Sequence, residues 1–138
     1  MRSLFYYTGR DWTGEARAFA VAARGLAARG EPVTIVCRPD GDAEMGFTNE
    51  ELDVITLPVS DAVSRDAWRL RAVLKERFIE VVFLHTEREQ LVASSAMRLA
   101  GRGAIVRRIP TGGTITQGRG TRFAARLASA RLLFTTEE

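Results

Sequence analysis

Strand, loop, helix and strand follow one another within the first 37 residues, and that order constrains what the rest of the chain can become. Ser3-Leu-Phe-Tyr-Tyr-Thr-Gly-Arg-Asp-Trp-Thr-Gly-Glu runs into an alanine-rich segment and then into Val33-Thr-Ile-Val-Cys37. In an open parallel sheet the loop leaving the first strand lies at the carboxyl edge, where ligands bind. The helix after it turns its amino end, with free N–H groups and partial positive charge, toward the same crevice.

The later segments repeat the alternation. Ala16, Phe19, Ala20, Ala23, Leu26 and Ala27 form one apolar stripe from about Glu15 to Arg29, and Gly30 supplies a left-handed stop. Val33 to Cys37 is apolar on both faces, as a covered parallel strand must be. Pro39 to Glu51 is polar, acidic and glycine-containing, and reads as a surface excursion. A short third strand is expected over Asp53 to Pro58. Asp61 or Ser64 is expected to cap a helix that buries Ala67, Leu70, Val73 and Leu74. Glu80 to Leu84 is a fourth strand. A helix from Glu87 to Gly101 is expected to bury Leu91, Val92, Ser95, Ala96 and Leu99. Ala104 to Ile109 is a fifth strand, Thr111 to Gly120 a glycine- and threonine-rich loop, and Thr121 caps a short helix carrying Phe123, Ala124 and Leu127. Arg131 to Thr135 is a sixth strand. The expected fold is a three-layer, Rossmann-like α/β domain with a parallel sheet in the order 3-2-1-4-5-6, residues 1–138 forming one domain.

Under that order the loop from Gly9 to Gly14 faces His85-Thr86-Glu87 across the switch point, and the loop after Pro110 opens on the same edge. His85 is the one histidine and can exchange a proton near neutral pH, with Glu87 expected to orient it; it reads equally as a strand-end residue bonded to a backbone carbonyl. Asp11 can accept hydrogen bonds from hydroxyls. Trp12 can stack on a sugar, or simply cap the end of the sheet. Gly9 and Gly14 permit a tight turn and close backbone approach. Thr111, Gly112, Gly113 and Thr114 are candidate ligand-binding positions in the later loop.

Several chemistries are disfavoured. Gly-x-Gly-x-x-Gly is absent after the first strand, no Gly-Lys-Ser/Thr follows a strand, and Lys75 lies in mid-helix. Arg107 and Arg108 stand where a phosphoribosyltransferase loop needs two acids before Thr111-Gly-Gly-Thr114. A receiver domain needs a phosphorylatable aspartate where Leu57-Pro58 stands. There is no Cys/His metal spacing, so no metal is expected. The lone Cys37 argues against a disulfide framework and for a reducing, cytoplasmic compartment. Net charge is only +3, yet no acid lies between Glu89 and Glu137, while Arg98, Arg102, Arg107, Arg108, Arg119, Arg122, Arg126 and Arg131 do. That distribution suits an anionic ligand or the inner face of a membrane, and equally a solvated arginine-rich surface. A free-standing, non-catalytic module binding an anionic ligand is therefore one reading; nucleic acid is not expected.

The combined pattern resembles the amino-terminal domain of GT-B fold glycosyltransferases, in the large retaining, sugar-nucleotide-dependent group known as family 4. That family has a glycine pair after its first strand, where Thr13-Gly14 stands here. It continues with Leu-Ala-x-Arg-Gly-His-Glu-Val-Thr-Val-Val, to which Leu26-Ala-Ala-Arg-Gly-Glu-Pro-Val-Thr-Ile-Val36 is similar. Val81-Val-Phe-Leu-His-Thr-Glu87 is similar to its strand ending in a histidine, and Leu132-Leu-Phe-Thr-Thr-Glu137 to the strand that leads on to more of the enzyme. Thr13 replaces the first glycine, Glu31-Pro32 replaces His-Glu, and Pro110 stands where many members carry a histidine near the reacting sugar. The resemblance implies an acceptor-binding half, with a second domain, absent from these residues, holding most donor contacts. It implies a nucleotide sugar as donor substrate rather than a cofactor, and a small-molecule or lipid-linked acceptor. It implies catalytic or contact roles for His85 and Glu87, and self-association if the face toward the second domain is left bare.

Overall fold

Strands with apolar side chains on both faces need a helical layer on each side, and this chain supplies two. The computed structural model describes residues 1–101, 103–109 and 131–134. Its elements run β1 (Ser3–Tyr7), α1 (Gly14–Ala28), β2 (Val33–Cys37), α2 (Asp42–Asn49), β3 (Val54–Thr56), α3 (Val63–Glu76), β4 (Val81–Leu84), α4 (Glu87–Ala100), β5 (Ala104–Ile109) and β6 (Arg131–Phe134). The strands form one parallel sheet in the order β3-β2-β1-β4-β5-β6, as the alternation predicts. β1 is central: Phe5 registers with Ile35 on one side and Phe83 on the other.

Alternate residues of β1 feed separate cores. Leu4 and Tyr6 pack with Val36, Val82, Leu84 and Ile105 beneath α3 and α4. Phe5 and Tyr7 pack with Ile35, Cys37, Phe19 and Phe47 beneath α1 and α2. Phe5 stacks on Phe83 at 4.7 Å and meets Phe19 edge-on at 5.3 Å. Burial pushes the Cys37 thiol up to about 12, so the cysteine is a core residue and a poor nucleophile. Beside α1, among the described residues, Phe5, Phe19, Leu26 and Phe83 line a groove.

Three expectations change. The segment read as a surface excursion contains α2, which buries Ala43 and Phe47 against Tyr7 and Trp12. α3 is capped at Ala62, with no side-chain bond at the cap; Asp61 and Ser64 do not serve. Instead Asp66 reaches back to accept from Ser60 N and Oγ. α4 buries Val92 and Ala96 as expected but also Glu89, Gln90, Ala93, Ser94 and Met97, while Leu91 and Ser95 are half-buried and Leu99 is exposed. The reason is that Glu89 and Gln90 have polar partners inside, which a pattern of apolar residues cannot register. The stops at Gly30 (φ 82°) and Gly101 (φ 85°) are left-handed as expected. The helix after Thr121 lies outside the described residues.

Two helical glycines predict opposite outcomes. A Cβ on Gly46 would collide with the Trp12 indole, whereas one on Gly25 meets nothing within 4 Å. Gly46→Ala is expected to lower the unfolding free energy by about 1–3 kcal/mol through overpacking. Gly25→Ala is expected to raise it by about 0.5–1 kcal/mol through helix propensity. Urea titration of the two variants checks both signs.

Candidate functional site

The site is built where β1 and β4 end side by side. β1 delivers Tyr7 and then the turn from Thr8 to Thr13. The Tyr7 hydroxyl donates to Asp11 O at 3.0 Å and lies 2.7 Å from Thr13 Oγ1. Thr13 caps α1, accepting from Ala16 N at 3.2 Å. The remaining N–H groups of the first turn point toward this edge. Among the described residues, nothing stands within 4 Å of a Cβ placed at Gly14, the first residue of α1. The other side of the turn is docked on α2. Ala43 N donates to Arg10 O at 3.0 Å, an approach that a Cβ at Gly41 would obstruct.

β4 delivers His85. Its ring stacks on Tyr7 at 5.3 Å, with an 11° interplanar angle, and meets Phe19 edge-on at 5.8 Å. Its Nδ1 lies 3.0 Å from Glu89 Oε1, an ion-pair distance without an aligned hydrogen bond. The carboxylate beside His85 is thus Glu89; Glu87, expected to orient it, occupies the first helical position of α4. Glu89 has no exposure to water. Its Oε2 accepts from Thr8 N and Thr8 Oγ1, both at 2.8 Å, and its Oε1 from His85 N and Thr86 N, both at 3.1 Å. With Thr86 Oγ1 accepting from Glu89 N, this completes a capping box at the start of α4. Burial pushes the Glu89 pKa up, but the His85 side chain and the N–H groups of Thr8 and His85 outweigh it, leaving the carboxyl below its ordinary range.

A second buried carboxylate ties in the next loop. Asp66 accepts from Ser60 and from Arg88 Nη2 at 2.9 Å, and Arg88 also donates to Ser60 O at 2.6 Å. Burial raises its pKa less than Ser60 and Arg88 lower it, so the net direction is down. At the end of β5, Arg107 Nη1 donates to Gln90 Oε1 at 3.1 Å, so this arginine is tied to α4.

Of the residues singled out in the sequence, the fold brings Thr13, Gly14, His85 and Glu87 to one edge, together with Asp11, whose carbonyl receives the Tyr7 hydroxyl. Trp12 packs on Gly46 and edge-on to Phe47 at 5.0 Å. Thr111, Gly112, Gly113 and Thr114 lie outside the described residues, as does Pro110. Glu89, Thr8 and Tyr7 were missed. The Thr86-x-x-Glu89 spacing after an apolar strand was the available signal, since it is the pattern of a capping box.

This fold and edge can be set beside known proteins. A family model described as a glycosyl transferase 4-like domain matches residues 13–136. The chain belongs to that family. No curated relative matches it. Among solved structures, this glycosyl transferase 4-like domain is similar to MurG of Acinetobacter baumannii, with TM-score 0.72 and 11% identity over 98% of this chain and 42% of MurG. It is similar to HepE of Anabaena in complex with UDP, with TM-score 0.68 and 14% identity over 92% of this chain and 35% of HepE. It is also similar to the apo form of the lipopolysaccharide outer core galactosyltransferase WaaB, with TM-score 0.65 and 14% identity over 78% of this chain and 32% of WaaB. The glycosyl transferase 4-like domain thus spans less than half the length of each of these proteins, and its fold is that of an amino-terminal GT-B domain. Among the described residues, no helix is long and apolar enough to cross a membrane.

The two buried carboxylates predict acid sensitivity. Each has a folded pKa below its unfolded value. Their contribution to stability is therefore full above the ordinary carboxylate range, about pH 4, and is lost as pH falls through the folded values. Unfolding free energy should drop steeply below about pH 4, and the drop should be shallower in Asp66→Asn. Equal steepness in that variant would count against the role given to Asp66.

Proposed function

We propose that this domain is the acceptor-binding half of a glycosyltransferase that moves a sugar from a nucleotide-sugar donor to an acceptor hydroxyl. The observation that carries the reading is the placement of His85. Its ring is wedged between Tyr7 and Phe19, with a carboxylate behind Nδ1, at the edge where α1 presents its amino end. A sugar transfer to a hydroxyl needs a proton acceptor and a seat for negative charge, and these two features supply that pair. The family match and the shared fold with sugar-transferring enzymes support the reaction class. The UDP bound to HepE supports a nucleoside diphosphate leaving group, presented by a second domain.

In this reading Gly14 leaves room for the ligand beside the helix end. Asp11 and Thr13 hold the turn, and Thr111 to Thr114 contribute from the neighbouring loop. His85 contacts the acceptor or the reacting sugar, and Glu87 stands beside it at the amino end of α4.

The test is turnover by the full-length protein against a panel of nucleotide sugars, read as release of nucleoside diphosphate. His85→Ala is expected to lower kcat/KM by about tenfold or more, roughly 1.4 kcal/mol in transition-state stabilisation, when measured at a temperature where the variant remains folded. Gly14→Val, which enters open space, should fold normally and also lose kcat/KM. Unchanged turnover with a lowered melting temperature in His85→Ala would make the histidine a packing residue. Residues 1–138 alone should bind nucleotide sugars more weakly than micromolar, about −8 kcal/mol, because the donor contacts lie elsewhere. Calorimetry showing micromolar binding would contradict this division of labour.

A further inference from the structure

We propose that Glu89 is the positioning residue of this site: its carboxylate holds His85 with the proton on Nδ1 and leaves Nε2 as the working nitrogen, while clamping the Thr8 turn of the opposite loop. A helix cap requires only one bond from Glu89, to Thr86 N. This side chain takes three more, from Thr8 N, Thr8 Oγ1 and His85 N, and lies against His85 Nδ1 as well. The donors come from the loops that follow two neighbouring parallel strands, β1 and β4. They approach both oxygens, so only a group that accepts on each side fits them. A carboxamide would turn an N–H toward a donor on one side or the other. A carboxylate removed from water is costly unless its acceptor sites are filled, and here they are.

The consequence for His85 follows from which atoms can face each other. An ionised oxygen 3.0 Å from Nδ1 repels an unprotonated nitrogen and favours a hydrogen there by charge and distance, although the pair is not aligned as a hydrogen bond. In the neutral ring Nε2 is then the acceptor, able to receive a proton from a hydroxyl. Tyr7 and Phe19 hold the plane of the ring, and turning the imidazole over within that plane would replace Nδ1 beside Oε1 with a carbon and forfeit the ion-pair contact. Clamping Thr8 to the same carboxylate fixes the distance between the histidine and the amino end of α1. The catalytic part of this inference rests on the glycosyl transfer proposed above; the hold on His85 does not.

The experiment is nitrogen NMR on the full-length protein labelled at histidine, with the His85 signal identified by His85→Asn. At a pH where the ring is neutral, the wild type should show the Nδ1–H tautomer. Glu89→Gln should lose that preference and lower kcat by about ten- to a hundredfold with KM little changed. Glu89→Asp, keeping the charge, should recover part of both; it also serves if Glu89→Gln fails to fold. An Nε2–H tautomer in the wild type, or an Nδ1–H tautomer that survives in Glu89→Gln, would overturn the proposal. A protein that turns over no nucleotide sugar yet shows the tautomer change would refute the proposed reaction and leave the role of Glu89 standing.

Discussion

One carboxylate, Glu89, sealed from solvent, joins the loops that follow β1 and β4. Parallel strands diverge where their loops begin, and the order of this sheet forces the β1 and β4 loops to leave in different directions. Nothing in the sheet ladder joins Thr8 to His85. Glu89 does so, from the first turn of α4, by accepting from both. The ordering of three elements is therefore referred to a single side chain. Asp66 repeats the device one loop away, joining the segment after β3 to Arg88 of the same helix. α4 thus contributes Arg88 and Glu89 as consecutive anchors for two loops.

The sheet could be read from the chain because its central strands are apolar on both faces and separated by glycine stops. β1, β2 and β4 are such runs, and right-handed crossovers leave few orders open to them. α2 was not legible for the converse reason. It is short, acidic at its start and carries two apolar anchors, so its composition is that of a loop. Gly41 and Gly46 looked like punctuation, and are instead places where backbone and indole come too close for any side chain.

The site was half legible. His85 and the Thr13-Gly14 turn were found from their place after strands, which topology alone provides. Glu89 was not, because a charged residue inside a helix is assigned to water by any periodicity argument. Its burial depends on donors from residues 8 and 85, which are distant in sequence. The same blindness gave Leu99 to the core and left Gln90 out of it. Buried polar partnerships are relations between segments, and a single segment carries no record of them.

Docking of the β1 turn on α2 has a consequence for recognition. A ligand loop that is loose in the free protein must lose its conformational freedom on binding, and affinity falls by that amount. Here the Arg10 carbonyl is already engaged by Ala43, the Trp12 indole is seated on Gly46, and Asp11 is held by the Tyr7 hydroxyl. The ordering entropy of this turn is settled when the domain folds. The edge is preorganised, so discrimination between molecules that meet it would come from shape at a rigid rim rather than from a loop that adapts to each guest.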